Sequence, residues 1–182
     1  MTGQYSLRTD GVRLSTVALR VAAVAAALLV AYSRAAQAET VTRWQGADMG
    51  RWDVAGNWTA GVPDATSTVI LDNGNRAAVE FAGQALNVLL GQSANGRLIV
   101  WDTLTVGDLL SVGMSDQGFL SINSGGTVSA GFVALGYLDD GSSGSGNVQD
   151  TGSQLTAGTL LVGGFGGQVG FRHSRQPLRG CG

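Results

Sequence analysis

The chain has 182 residues, of which 29 are glycine and only one, Cys181, is cysteine. A single cysteine excludes a disulfide framework, so side-chain packing must hold the fold together. The part of the chain after residue 38 carries seven arginines and twelve acidic side chains, a net charge of about −5. This acidic balance excludes nucleic acid as a partner, because phosphate binding needs a basic surface.

Residues 1–38 have the features of an export signal. An arginine-containing leader precedes an apolar run over residues 21–32, and small residues at Ala36 and Ala38 form a cleavage motif directly before Glu39. The run is shorter than the roughly 20 apolar residues that a bilayer span needs. We therefore expect cleavage before Glu39, export machinery as a partner and no integral membrane segment in the mature chain. A short, uncleaved membrane anchor is the alternative.

Residues 39–84 precede the repeats and contain three tryptophans, Trp44, Trp52 and Trp58, within 15 residues. The first coil of a stack exposes an open strand edge and the end of its apolar core, and bulky aromatic side chains can cover both. We therefore interpret this segment as an N-terminal cap. The alternative is an aromatic platform that stacks on sugar rings.

Residues 85–168 contain imperfect copies of one pattern. An apolar segment ends on a glycine four times, at steps of 22, 23 and 27 residues, and these glycines are Gly91, Gly113, Gly136 and Gly163. A period of about 20 to 50 residues is typical of a solenoid in which each copy is one coil. Glycine is expected where the chain turns a corner, because corners need positive φ or close backbone approach.

The alternation within each copy indicates strands. Leu120, Ile122 and Val128 are separated by even numbers of residues, so they point to one face of an extended chain. Helical spacing of apolar residues is absent from this region of the sequence. The sequence therefore predicts an all-β fold, a parallel β-helix with a tryptophan-rich cap. Residues 139–146 are predicted to be an insertion that loops outward at a corner.

A family resemblance follows from these motifs. The clearest copy, residues 112–131, reads V-G-x4-G-x-L-x-I-x-x-G-G-x-V-x-x-G, and the tryptophan segment ends with NWTAGVPD at residues 57–64. Together with the export signal, residues 40–167 resemble the N-terminal passenger region of bacterial autotransporters. The resemblance implies a right-handed β-helical passenger that is carried to the cell surface or outer membrane and is often used in adhesion. The chain would then be a truncated passenger fragment, periplasmic or secreted by itself.

Residues 169–182 depart from the repeat. They contain the only histidine, His173, together with Cys181 and three arginines, where the pattern calls for glycine and a further strand. We expect an aberrant, disordered tail, which a frameshift near Gln168 would produce. One histidine and one cysteine eight residues apart make a poor zinc site, so we predict no metal there.

The sequence predicts no catalytic, cofactor-binding or metal-binding residues. Asp116, Asp139 and Asp140 could stack as a calcium ladder, but solvated turn acids are the favoured interpretation. The leading hypothesis is a non-catalytic exported surface protein that contacts surface glycans or host and abiotic surfaces. The alternatives are an exported carbohydrate-binding or carbohydrate-degrading β-helix, and a periplasmic structural protein of another export route.

Overall fold

A computed structural model describes residues 39–136, residues 142–163 and the backbone of residues 168–174. Within these residues the chain forms thirteen β-strands and one 3-10 turn, Ala55–Asn57. The predicted export signal at residues 1–38 and the end of the predicted tail at residues 175–182 lie outside the described residues.

The strands form two parallel sheets. The first sheet contains β1 (Thr40–Arg43), β3 (Ser67–Leu71), β5 (Gly83–Ala85), β6 (Asn87–Leu90), β8 (Thr103–Val112), β10 (Thr127–Leu135) and β12 (Gln154–Val162). The second sheet contains β2 (Gly50–Arg51), β4 (Arg76–Val79), β7 (Gly96–Val100), β9 (Gln117–Ile122), β11 (Ser143–Gln149) and β13 (Gln168–Ser174). From β6 onward, successive strands alternate between the sheets, so the chain winds as a β-solenoid and the predicted fold class is confirmed.

The register of the first sheet follows the repeat that the sequence shows. Leu90 lies beside Val112, Val112 beside Leu135, and Leu135 beside Val162. Each is followed by one of the four repeat glycines, whose φ angles are 74°, 77°, 61° and 69° in chain order. Residues with a side chain rarely adopt this left-handed backbone conformation. Glycine therefore follows each of these strands because it tolerates a positive φ.

A second set of glycines packs against these corners from inside. A Cβ atom on Gly118 would lie 2.0 Å from the backbone nitrogen of Gly113, and one on Gly96 would lie 2.1 Å from the carbonyl oxygen of Leu71. Gly144 takes the same place one coil later, where a Cβ atom would lie 2.3 Å from the carbonyl oxygen of Val112. The corner is therefore narrow because two backbones approach more closely than any side chain allows.

Between the sheets lies a core of stacked aliphatic side chains. The inward positions of β7 and β9 are Leu98 and Val100, and Leu120 and Ile122, which align in register and are almost fully buried. Parallel stacking places like residues on like at a spacing of roughly 4.8 Å. The core is therefore a set of continuous aliphatic columns.

The cluster of Trp44, Trp52 and Trp58 (the tryptophan cluster) belongs to the same apolar core. Trp44 and Trp52 directly follow β1 and β2, the strands at the N-terminal ends of the two sheet paths. Each of the three side chains is only 2% exposed, and Trp58 packs edge-on against both others at ring-centroid distances of 4.9 and 4.8 Å. Buried indoles cannot stack on a sugar ring from solvent, so this arrangement fits a cap and not a platform.

Strand stacking begins earlier in the chain than the sequence division at residue 85 suggests. β3 already pairs with β6, and β4 pairs with β7, in parallel register. Even the short strands β1 and β2 join β3 and β4. Segment 39–84 therefore contains coil strands as well as the tryptophan cluster.

The second half of the predicted insertion at residues 139–146 is part of a strand. Ser143 to Gly146 form the first half of β11 and pair with Gln117 to Leu120 of β9, whereas residues 139–141 lie outside the described residues. The glycines and serines of this segment suggested a flexible loop. Gly144 instead packs against the corner at Gly136, where a Cβ atom would lie 2.4 Å from the Gly136 backbone nitrogen, so close backbone approach explains this glycine.

The start of the predicted disordered tail also has a regular backbone. Residues 168–174 form β13, which pairs in parallel register with β11. Strand pairing uses main-chain groups that every residue except proline carries, so it does not require the glycine and leucine pattern of the repeat.

Candidate functional site

The outward face of the second sheet carries two rows of side chains that run across the strands. The first row is Arg76, Arg97, Phe119 and Ser145, which lie beside one another in register. Two residues further along each strand, Ile99, Ser121 and Asn147 form the second row. Both rows point outward because the residues between them, Leu98 and Leu120, are buried in the core.

The space between these rows is an open trough. It has a volume of about 370 Å³ and is lined by both rows, with the strand segments at Leu98 and Leu120 as its floor. From β4 to β11 the trough crosses three strand spacings, roughly 14 Å. It therefore has the dimensions of an elongated groove and not of an enclosed substrate cavity.

Arg97 gives the trough its charge. Its guanidinium carbon lies 5.1 Å from the ring centroid of Phe119, a cation–π contact. Its Nε atom is buried without a hydrogen-bond partner. Within the described residues Arg97 forms no ion pair, whereas Arg43, Arg51 and Arg76 each pair with an aspartate at 2.7, 2.5 and 2.5 Å.

Arg76, at the end of the first row, is neutralised by Asp48. The Asp48 carboxylate accepts hydrogen bonds from Nε of Arg76 at 2.9 Å and from its backbone N–H at 2.9 Å. The side-chain hydrogen bonds from Arg76 are the main reason that the pKa of Asp48 lies well below its usual range. Among the described side chains of the trough, Arg97 is therefore the cation that forms no ion pair, although its charge also contributes to the lowered pKa of Asp48.

The opposite wall is polar at one end and apolar at the other. The Ser121 hydroxyl donates to Oδ1 of Asn123 at 2.9 Å, and Nδ2 of Asn147 donates to Oε1 of Gln149 at 3.1 Å. Ile99 completes the wall beside Arg97. Among the described side chains, the trough thus combines one cation that forms no ion pair, one aromatic ring that is 36% exposed, an aliphatic side chain, a hydroxyl and an amide.

The residues that the sequence singled out lie elsewhere. The four repeat glycines are at corners, and the tryptophan cluster is buried in the core. Glu39 accepts hydrogen bonds from the Thr68 hydroxyl and, at 3.3 Å, from Nδ2 of Asn87, whereas Ala36 and Ala38 lie outside the described residues.

The predicted acidic ladder is only partly described. Asp116 accepts a hydrogen bond from the backbone N–H of Gln117 at 2.6 Å, which fits a turn acid, whereas Asp139 and Asp140 lie outside the described residues. Across the described ranges, no three histidine, cysteine or acidic side chains are grouped as metal ligands. Cys181 and the side chain of His173 also lie outside that part of the chain.

Sequence reasoning missed the trough, although the repeat contained a signal for it. Arg97, Phe119 and Ser145 each directly follow an inward-facing glycine of the second set, namely Gly96, Gly118 and Gly144. The residue after an inward-facing glycine must point outward, so the three positions had to form one row. The copies resemble one another in their apolar inward positions, whereas these outward positions share no residue type.

In the part of the chain that the structure describes, no helix is long and apolar enough to cross a membrane. Comparison of the chain with protein-family models, with curated proteins and with solved structures found no match. The site must therefore be interpreted from its own geometry.

Proposed function

We propose that the protein is a non-catalytic, exported surface protein of the adhesin type, in which the β-solenoid is a stem. The in-register parallel stack is the observation that carries this proposal. Its repeated residues are corner glycines and core aliphatics, which build length without concentrating chemistry at one place. The export-signal pattern at residues 1–38 supports export, and the resemblance to autotransporter passengers supports a location at the cell surface.

The proposal is tested by following the chain in a bacterial host. Alkaline phosphatase fused after Gly182 needs an oxidising compartment to form its disulfides, so it should become active with the whole chain. The matched control is Leu28→Arg, which places a charge in the apolar run and should abolish activity. N-terminal sequencing of the exported product should begin at Glu39. An active reporter in both versions, or an inactive one in both, contradicts export through this signal.

Surface exposure needs a separate measurement. Because the chain by itself is expected to be periplasmic or secreted, it is joined for this test to the translocator barrel of a bacterial autotransporter. Protease added to intact cells should then digest the exposed β-solenoid, whereas a periplasmic marker protein in the same cells should survive. Survival of the joined chain in intact cells, with digestion only after the outer membrane is opened, would favour the periplasmic structural alternative.

A second candidate function is carbohydrate binding, which the trough favours. Its exposed aromatic ring, hydroxyl and amide are the groups that contact the apolar faces and hydroxyls of sugars. Incubation of the purified protein with neutral and acidic polysaccharides should give binding without new reducing ends. Appearance of reducing ends would instead indicate a carbohydrate-degrading enzyme.

A further inference from the structure

We propose that the trough on the second sheet binds an extended, carboxylate-bearing glycan, with Arg97 contacting a carboxylate and Phe119 packing against a sugar ring. This inference rests on the carbohydrate-binding candidate and names its ligand class. Three features of the trough support it, which are its charge, its shape and the state of its backbone.

The charge of the trough calls for an anion. Arg97 makes no side-chain hydrogen bond within the described residues, its Nε is buried without a partner, and its guanidinium lies over the Phe119 ring. A planar guanidinium matches a carboxylate with two parallel N–H···O bonds, and such charge-assisted bonds are stronger than neutral ones. A neutral sugar would leave this donor fork without its best acceptor.

The open, elongated shape of the trough fits an extended polymer better than a small molecule. It is open along its length and crosses β4, β7, β9 and β11, and the described side chains do not enclose a small molecule. The small side chain of Ser145 follows Phe119 in the first row, which leaves space beside the aromatic ring. A sugar ring could occupy that space while the chain continues toward Arg97.

The state of the backbone disfavours an acidic peptide. Peptides that bind to sheets usually add as a strand to an unpaired edge, where main-chain groups are available. At the floor of the trough, β7 lies between β4 and β9, and β9 lies between β7 and β11, so their main-chain groups are already used in the sheet. Recognition must come from outward side chains, and Ser121 and Asn147 suit the hydroxyls of a glycan.

The same sheet provides a matched control for Arg97. The guanidinium carbon of Arg51 lies 4.8 Å from the ring centroid of Phe81, a pair with nearly the same geometry as that of Arg97 and Phe119. Arg51 differs because it is paired with Asp53 at 2.5 Å and lies 3.7 Å from Glu80. Its charge is therefore already satisfied, and it does not line the trough.

The experiment measures binding of the purified protein to polygalacturonate by calorimetry. Fully methyl-esterified polygalacturonate is the neutral control polymer, and poly-L-glutamate is the peptide control. We expect polygalacturonate to bind more tightly than the esterified polymer, because only the free carboxylates pair with Arg97. Arg97→Gln should reduce the affinity at least about tenfold, because a charge-assisted hydrogen bond is lost. Phe119→Leu should also weaken it, whereas Arg51→Gln should not.

Each contrary outcome overturns a defined part of the proposal. Equal binding of the esterified polymer would overturn the acidic class but leave carbohydrate binding intact, and binding of neither glycan would overturn both. Equal binding of poly-L-glutamate would replace the glycan with any acidic polymer. Equal losses in Arg97→Gln and Arg51→Gln would show that overall charge, and not the trough, attracts the ligand. Far-UV circular dichroism of each variant checks that the sheet content is unchanged.

Discussion

The tryptophan cluster and the glycine corners solve opposite packing problems in one molecule. At the N-terminal end, three of the largest side chains fill the space beside the first strands, and each is 2% exposed. At the corners of the coils, Gly96, Gly118 and Gly144 leave no room for even one carbon atom. The stack therefore uses large side chains where it ends and none at its repeated corners, because interiors are close-packed throughout.

The two regions also differ in how their backbones are satisfied. In the coils, main-chain groups bond to the neighbouring coil, as in the bond from Gly113 N to the Leu90 oxygen at 2.9 Å. Around the tryptophan cluster, main-chain bonds continue, as from Trp52 N to the Ala78 oxygen at 2.8 Å. Asparagine side chains add to them, because Nδ2 of Asn73 and Asn75 donate to the oxygens of Trp44 and Gly46 at 3.1 and 3.0 Å. Both regions therefore share the main-chain pattern, and the cap adds hydrogen bonds from individual side chains.

Removing the centre of the tryptophan cluster should have the largest effect. Trp58 contacts both other indoles, and its Nε1 donates to the Trp52 oxygen at 2.7 Å. Trp58→Ala should lower the free energy of unfolding by about 3–5 kcal/mol, measured by urea denaturation. Trp101→Ala is the control, because Trp101 is only half-buried and should cost less. Equal losses would mean that the cluster is not a special point of the stack.

Adding one carbon at a corner should have the next largest effect. A Cβ atom at Gly118 meets backbone and not a flexible side chain, so Gly118→Ala should cost about 3 kcal/mol. Gly107→Ala is the matched control in the preceding coil, because the nearest atom to its Cβ would be 3.5 Å away and its φ is not in the left-handed region. The same urea measurement separates the two. Similar stability of both variants would contradict the narrow corner.

The coil architecture could be predicted from the sequence because its causes repeat. Gly91, Gly113, Gly136 and Gly163 marked the corners at the correct register, and alternation around Leu120 and Ile122 marked the inward face. Ser143 to Gly146 were harder to assign. Composition alone cannot distinguish a flexible glycine-rich loop from a strand in which glycine is required by close backbone approach.

The candidate site could not be predicted from the same pattern, because its residues occupy equivalent positions in successive coils but differ in residue type. Arg97, Phe119 and Ser145 occupy equivalent positions in three coils and share no chemistry. Whether Arg97 is paired also depends on Asp48, which bonds to Arg76 from a loop 28 residues away in sequence. A contact of that kind depends on tertiary structure.

A smaller change tests whether the aliphatic columns or the outer faces stabilise the coils. Ile122 is fully buried in β9, whereas Ile99 lies on the outward face of β7. Ile122→Val should lower the free energy of unfolding by about 1 kcal/mol, and Ile99→Val should cost less because its surroundings include solvent. Urea denaturation of both variants and of the unchanged protein measures the two losses. A larger loss for Ile99→Val would mean that the outward face, and not the aliphatic columns, is the more tightly packed.

The smallest expected effect concerns a turn before β3 and depends on pH. The Asp64 carboxylate accepts a hydrogen bond from the Thr66 backbone N–H at 2.9 Å, and others from the Thr66 and Ser67 hydroxyls at 2.8 and 2.9 Å. These bonds, led by that from the Thr66 backbone, lower the pKa of Asp64 below its usual value of 3.8. A lowered pKa in the folded state means that the stabilisation is complete above the unfolded pKa and is lost as pH falls through the folded value.

Asp64→Asn should therefore cost stability at pH 7 and progressively less below pH 4. Solvent screens the exposed carboxylate, so we expect a loss of less than about 1 kcal/mol at pH 7. Urea midpoints of both proteins between pH 7 and pH 2 should converge at the acid end. A constant difference across this range would mean that the charge of Asp64 is irrelevant. Convergence would show that individual polar contacts of the N-terminal segment, unlike the aliphatic columns of the coils, give the stack part of its sensitivity to acid.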